Sequence, residues 1–287
     1  MTIDQSPIAQ WVSEAPNKEQ QEFREAVHTI LLAIADDPNL QADMIIKGGI
    51  LLAIRYHSHR YTKDIDFSTE KALKDIDPEQ VIKSLDQSLT VVAENLDYGL
   101  DCKVQTHKIL PPNKQNPTFP ELEITIGFAY KGTPKHKRLL ALKCPSIVKI
   151  DFSLNEPTPN IEFYNFGDEE NLKAYSFTDV IAEKLRAFLQ MGVRNRVRRQ
   201  DIFDLYVLLK SHPEIDEHEQ SRILDSLIIK SNSRDLKVDK NSFQDSELRD
   251  RAEKTYPELV DEVENELPEF DEVYETVKEF YENLPWK

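Results

Sequence analysis

The stretch Lys47 to Ser68, KGGILLAIRYHSHRYTKDIDFS, constrains this chain more than any other. It contains the only Gly-Gly pair in a sequence with seven glycines and, fifteen residues past Gly49, two aspartates separated by one isoleucine. Gly48 and Gly49 lie between the apolar runs Met44-Ile45-Ile46 and Ile50 to Tyr56, a pattern that predicts a turn followed by a short helix. Glycine there lets backbone approach a ligand closely, and the helix start offers unpaired N–H groups to phosphate oxygens. Asp64-Ile65-Asp66-Phe67 alternates polar and apolar, so a strand would turn both carboxylates to one face and Ile65 and Phe67 to the core. Carboxylates about 7 Å apart along such a strand, at ~3.3 Å per residue, can share one or two Mg²⁺ (or Mn²⁺) ions. Ions so held bridge a triphosphate, activate an attacking hydroxyl and stabilise a pyrophosphate leaving group. A lone Gly-Gly is usually a turn, and a lone D-x-D a solvated strand face. The order glycine pair, short helix, D-x-D behind the basic residues Arg55, Arg60 and Lys63 is what points to a nucleotide-and-metal site.

The remainder of the chain supplies the scaffold. Residues 1–18 are polar with two prolines and read as an irregular lead-in. Phe23, Val27, Ile30, Leu31 and Ile34 fall at helical spacing, which predicts an amphipathic helix from Glu19 to Ala35. Asp77-Pro78 forms a cap and first-turn proline for a second helix with the stripe Val81, Ile82, Leu85, Leu89, Val92 and Leu96. Leu100 to Ile109, Glu121 to Tyr130 and Ser146 to Leu154 carry period-two patterning, with proline-rich or basic turns between them. In the third strand Lys149, Asp151 and Ser153 share the polar face. Asp151 is therefore the candidate third carboxylate beside the D-x-D strand, against the alternative of a solvated Lys-Asp edge. Asn160 to Phe166 reads as one more short strand or connection.

Past residue 170 the pattern turns almost wholly helical. Thr178 to Phe188 reads as a capped helix with Ile181, Leu185 and Phe188/Leu189 on one side. The basic run Arg194 to Arg199 follows, and then a second helix on which Asp201 and Asp204, at i and i+3, share a face. Glu258 to Leu284 is strongly acidic with an apolar stripe from Val260 to Phe280, a packed helix with an acidic outer face or a docking surface for a basic partner.

A net charge of −16 sits badly with a polyanion ligand until its distribution is read. Residues 245–287 hold 15 acidic and 5 basic side chains, whereas Lys184 to Gln200 holds six Lys/Arg and no acid, and Lys131 to Lys143 five and no acid. An RNA substrate is not excluded. No apolar run approaches the length of a membrane span, and the N-terminus lacks the pattern of a signal peptide. Cys102 and Cys144 are isolated, which suits ordinary buried thiols in a reducing, cytoplasmic setting.

Lys47-Gly48-Gly49 followed by Arg60-Tyr61-Thr62-Lys63-Asp64-Ile65-Asp66 resembles the first motif of the AbiEii/MenT group of toxin nucleotidyltransferases, K-G-G, short helix, R-x-S/T-x-D-[IL]-D. That group lies within the DNA polymerase β-like superfamily. The wider superfamily has Gly-Ser where this chain has Gly48-Gly49, and Gly-Gly favours the AbiEii-like branch. Asp179 through Ala187 resembles the family's D/E-x-x-A-E-K-L-x-A helix, and Asp201 to Leu205 its R-D-x-x-D-L helix. Gln200 replaces the usual arginine there, a charge that Arg198 or Arg199 can supply.

The resemblance implies an α+β fold: a polymerase β-like nucleotidyltransferase core, with a mixed sheet and packed helices, over residues 1–168, and a C-terminal helical domain over 169–287. It implies transfer of NMP from an NTP to an acceptor hydroxyl, the 3′ end of tRNA in MenT members, by the toxin of a toxin–antitoxin or phage-defence pair. The partner implied is a winged-helix AbiEi-like antitoxin. Asp64, Asp66 and Asp151 would hold Mg²⁺; Lys47, Gly48, Gly49, Arg60, Thr62 and Lys184 would hold the nucleotide. Lys184, Asp201 and Asp204 would be further functional residues, with a solvated lysine and structural Asp–Arg pairing as the alternatives. The other functional readings are NMP transfer to a protein or small molecule, and a non-catalytic partner-binding protein that keeps the fold.

Overall fold

The structure, a computed structural model, describes residues 6–58, 60–112, 118–167, 171–194, 197–263 and 266–287. These fall into two compact units, one of Met1–Arg55, Lys63–Glu156 and Glu162–Ala174, the other of Tyr56–Thr62, Pro157–Ile161 and Tyr175–Lys287. The boundary expected at 168/169 lies outside the described residues.

The first unit is an α+β layer structure. Helices α1 (Pro7–Ser13), α2 (Lys18–Asp36) and α3 (Pro38–Asp43) lead into strand β1 (Ile45–Lys47), helix α4 (Gly48–Arg55) and strand β2 (Asp64–Ser68). Helix α5 (Pro78–Asn95), strands β3 (Leu100–Leu110) and β4 (Glu121–Tyr130), helix α6 (Pro134–Leu140) and strands β5 (Ile147–Ser153), β6 (Ile161–Asn165) and β7 (Asn171–Tyr175) follow. The seven strands form one mixed sheet in the order β3-β4-β5-β2-β1-β7-β6. Strand β2 runs antiparallel to β1 and parallel to β5, and β4 runs antiparallel to both β3 and β5. Ile65, Phe67, Leu122, Ile124, Ile126, Val148, Ile150 and Phe152 are fully buried on one face. The intervening residues Asp64, Asp66, Glu121, Glu123, Lys149 and Asp151 are only half-buried on the other. Period-two alternation has this consequence when one sheet face packs on helices.

Three local expectations are corrected. The lead-in is not irregular: α1 forms because Ser6 caps it through Ala9 N–H, Pro7 sits in the first turn, and Ile8 and Val12 are buried. The basic connection between β4 and β5 contains a helix, α6, capped by Thr133 and pinned by buried Leu139. Pro134 marks that helix start rather than a break. The glycine pair itself opens α4 instead of preceding it.

The second unit is helical, with α7 (Phe177–Leu189), α8 (Met191–Arg194), α9 (Arg199–Ser211), α10 (Glu217–Asn232), α11 (Ser246–Thr255) and α12 (Phe270–Glu282). Helix α7 is its centre, capped by Ser176 and packed on α9 and α10. An aromatic cluster closes the core: Phe188 stacks on Phe243 at 5.4 Å, and Phe243 meets Tyr281 at 4.7 Å. The acidic stripe from Glu258 to Leu284 is not one helix. Tyr256–Asp261 is a 3₁₀ turn that leaves Val260 exposed, and α12 begins only at Phe270. Pro268 explains the late start, since its ring cannot occupy a helix interior.

Candidate active site

The turn from β1 into α4 is shaped by one contact. Gly48 has φ +70°, and a Cβ there would lie 1.9 Å from Asp66 Oδ2 and 2.6 Å from its Cγ. Any side chain at position 48 would therefore displace the Asp66 carboxylate as well as strain the backbone. Gly48→Ala is expected to lose about 1–3 kcal/mol of stability, as overpacked sites do. It should also abolish nucleotide transfer. A urea midpoint and an activity both equal to wild type would show that the turn tolerates the methyl group.

Strand register then assembles a row of charged side chains across the polar face. Lys47 on β1 stands opposite Asp66 on β2, Asp66 beside Asp151 on β5, Asp151 opposite Glu123 on β4, and Glu123 opposite Lys108 on β3. On one side of this row lie Asp64, Lys149 and Thr125, and on the other Ser68, Ser153 and Glu121. Lys108 pairs with Glu123 at 2.9 Å. Lys47 turns toward the serine side, donating to Glu156 at 2.5 Å and to Ser153 Oγ at 3.3 Å, while Ser68 Oγ donates to the same Glu156 carboxylate at 2.7 Å.

The carboxylates repel one another in a partly dry setting. Burial, then Glu121, Asp64 and Glu123, push the Asp151 carboxyl up to about 6, against the opposing charge of Lys149. Burial raises Asp64 too, although Lys149 and Lys63 hold it down, and burial raises Glu121 with Asp66, Glu123 and Glu156 adding to the effect. Oxygens of Glu121, Glu123 and Asp151 all lie within 4.8 Å of one another. Such a set of hard oxygen donors, three carboxylates only partly offset by Lys108 and Lys149, fits Mg²⁺ or Mn²⁺. Asp64, Asp66 and Asp151 are the carboxylates expected from sequence; Glu121 and Glu123 join them only in the folded sheet. The signal for the latter was present in the alternation of Glu121 to Tyr130, which sets both glutamates on the polar face.

A stability consequence follows for the metal-free protein. An acid whose folded value exceeds its unfolded value of 3.8 costs stability once ionised, so that cost appears as pH rises from about 4 through about 6. In chelator, Asp151→Asn should be more stable than wild type at pH 8 by about 1 kcal/mol, after discounting for solvent screening. The difference should vanish below pH 4. Urea titrations showing the variant weaker at pH 8 would remove the repulsion argument.

The second unit holds its own charged cluster. Arg60 grips Asp204 with Nε on Oδ1 and Nη2 on Oδ2, both at 3.0 Å, and Lys184 Nζ donates to the same Oδ2 at 2.7 Å. Lys184 also reaches Asp201 at 3.4 Å, and Arg198 lies 3.6 Å from Asp201. Asp204 is fully buried, and Lys184 and Arg60 nearly so. Despite its burial, Asp204 is held below the usual carboxylate value by the two cations, and Lys184 is raised by Asp204 and Asp201 against the cost of burial. Gln200 and Arg199 both donate to Glu262. Thr62 is half-buried at the end of the Arg60 segment.

A mixed sheet that sets a Gly-Gly turn against the aspartates of adjacent strands is the arrangement of a nucleotidyltransferase. Comparison with known proteins agrees. The sequence profile of the family described as "Nucleotidyl transferase AbiEii toxin, Type IV TA system" matches residues 29–276. The chain belongs to that family and is a nucleotidyltransferase. Among solved structures, a candidate nucleotidyltransferase from H. pylori is similar over 93% of this chain and 95% of its own, with 15% identity and a TM-score of 0.51. The structure of JHP933 from Helicobacter pylori is similar over 93% and 92% of the two chains, with the same identity and TM-score. At that identity the likeness speaks for the fold. No curated protein sequence matches the chain. Among the described residues, no helix is long and apolar enough to cross a membrane.

Proposed function

We propose that this nucleotidyltransferase moves NMP from an NTP to the 3′ hydroxyl of an RNA acceptor, the 3′ end of tRNA, in a Mg²⁺-dependent reaction. The observation that carries the reading is the Asp66–Asp151 pair on adjacent parallel strands, with Gly48 closed against Asp66. Asp64, Asp66 and Asp151 are the residues that would hold the metal, with Glu121 and Glu123 beside them. When bound, the metal neutralises triphosphate charge and favours departure of pyrophosphate. Gly48 and Gly49 keep side chains away from the start of α4, which leaves its first N–H groups for phosphate oxygens. The acceptor oxygen bonds to the α-phosphorus as the bond to pyrophosphate breaks, and positioning with charge compensation supplies most of the rate.

Motif resemblance assigns Arg60, Thr62 and Lys184 to the triphosphate. For Arg60 and Lys184 the bidentate pair and the 2.7 Å bond to Asp204 favour a second reading, counter-ions of a buried aspartate. Family membership sets the enzyme in a type IV toxin–antitoxin pair, and we assign a winged-helix AbiEi-like protein as its antitoxin and phage defence as its setting.

The test incubates purified protein with Mg²⁺, total RNA and each α-labelled NTP in turn. Label in a tRNA-sized band supports the reading and names the nucleotide. Label on protein would move the acceptor to a side chain. No label with any nucleotide, while an Asp66→Ala protein still poisons cells, would favour a non-catalytic partner-binding role.

A further inference from the structure

The sequence contains two acid-free basic stretches, and the structure treats them differently. In the stretch from Lys184 to Gln200 the described cations are neutralised from outside it. Lys184 pairs with Asp204 and Asp201, Arg186 with Glu183, Arg198 with Asp201, and Arg199 with Glu258 and Glu262, both at 3.0 Å. The stretch from Lys131 to Lys143, which forms the β4–α6–β5 connection, keeps much of its charge. Lys131 and His136 share Asp101, and Lys135 reaches Glu22 at 3.4 Å. Lys137, Arg138 and Lys143 are exposed and, among the described residues, have no carboxylate partner.

These three cations are interleaved with apolar side chains. Leu140 and Leu142 are 58% and 49% exposed, and Ile147 begins β5 partly exposed. Leu142 is held at φ +55°, a conformation that residues with a Cβ rarely adopt. The backbone carbonyl of Leu139 accepts Leu142 N–H and that of Arg138 accepts Lys143 N–H, both at 2.8 Å, which fixes this tight turn. Leu139 is anchored in the core against Ala129 and Cys144, so the patch is a braced feature and not a loose loop.

Its position relates it to the carboxylate row within the same unit. The connection feeds directly into the N-terminal end of β5, and Asp151 lies four residues along that strand, roughly 13 Å at ~3.3 Å per residue. Lys149, half-way along, stands beside Asp64 on the same face. A basic, partly apolar platform one short step from phosphoryl-transfer carboxylates suits the backbone of a single-stranded nucleic-acid end. Phosphates pair with the cations there, and the apolar side chains meet sugar and base.

We infer that the α6 connection, through Lys137, Arg138 and Lys143 with Leu140 and Leu142, is the surface on which the acceptor RNA docks, an inference that rests on the proposed RNA acceptor. A membrane surface is the weaker fit. Helix α6 has seven residues and buries its own Leu139, whereas interfacial helices present a long apolar face.

The test uses the full chain, fluorescent unfractionated tRNA as the probe, and the variant Lys137→Ala/Arg138→Ala/Lys143→Ala. A control variant, Lys237→Ala/Lys240→Ala/Lys254→Ala, removes the same charge from exposed positions elsewhere. Circular dichroism and the urea midpoint should match wild type for both. The α6-connection variant should lose at least about 10-fold in tRNA affinity, and the slope of log affinity against log salt should shrink by about two to three. The control should bind as wild type does. Equal loss in both variants, or none in the α6-connection variant, would overturn the docking surface even if wild type labels tRNA efficiently. Failure of wild type to label any RNA, with tRNA binding still governed by the three cations, would sink the acceptor reading and leave the docking surface standing. Cosedimentation with vesicles of equal parts phosphatidylserine and phosphatidylcholine that needs the three cations, beside tRNA binding that ignores them, would assign the patch to lipid and overturn it.

Discussion

Asp66→Asn should reduce NMP transfer at least about 10³-fold, close to 4 kcal/mol of lost transition-state stabilisation, while the protein remains folded. Asparagine has the size of aspartate, so the contact with Gly48 survives and the β1–α4 turn keeps its course. What is lost is one negative charge of the row, between Lys47 and Asp151 in register. The remaining carboxylates are not expected to replace it, because position decides function here: Asp66 packs against Gly48 at the start of α4, where phosphate would lie. Stability should move little or rise, since one like charge leaves a repulsive cluster. Single-turnover transfer measured with saturating Mg²⁺ and NTP separates this from weakened binding. A variant within 10-fold of wild type would show that Asp66 is a neighbour of the chemistry and not part of it.

Sequence pattern carried the reading well where a feature is local. Asp64 and Asp66 with buried Ile65 and Phe67 follow from period-two alternation, and the limits of β3, β4 and β5 follow from the same signal. The cap of α5 at Asp77 was legible from Asp-Pro alone. Non-local features were less visible. Glu121 and Glu123 look like the solvated face of any strand until β4 is known to pair with β5 in the register that faces Glu123 with Asp151. Helical spacing showed that Asp201 and Asp204 share a face but not what that face meets. Arg60, which completes the Asp204 cluster, is 144 residues away in sequence. Short elements were hidden as well, because α1 and α6 span seven residues each, too few for a periodic signal, and both carry a proline that sequence reading takes as a break.

Asp204→Asn should destabilise the chain by about 3–5 kcal/mol, the cost of leaving buried cations without their counter-ion. The Asp204 side chain is fully buried and receives two bonds from Arg60 and one from Lys184. Asparagine keeps the volume and can accept at one oxygen only, so at least one cationic donor faces an amide N–H₂. Because Asp204 is depressed in the folded state, its contribution is fully present above the ordinary carboxylate value of 3.8 and is lost as pH falls through its folded value. Lys184 is raised, so its contribution holds below its ordinary value of 10.5 and is lost as pH climbs through its own folded value. The gap between wild type and Asp204→Asn in urea should therefore be widest from about pH 5 to 9 and narrow only in strong acid or base. Pairing the change with Lys184→Met tests the cause, since a buried ion pair replaced by apolar bulk often costs little. The double variant should recover part of the loss, a non-additivity of more than about 1 kcal/mol in the double-mutant cycle. Strictly additive losses would mean that Lys184 and Asp204 stabilise the unit independently, and a loss below about 1 kcal/mol at pH 7 would mean that solvent reaches the cluster and screens it.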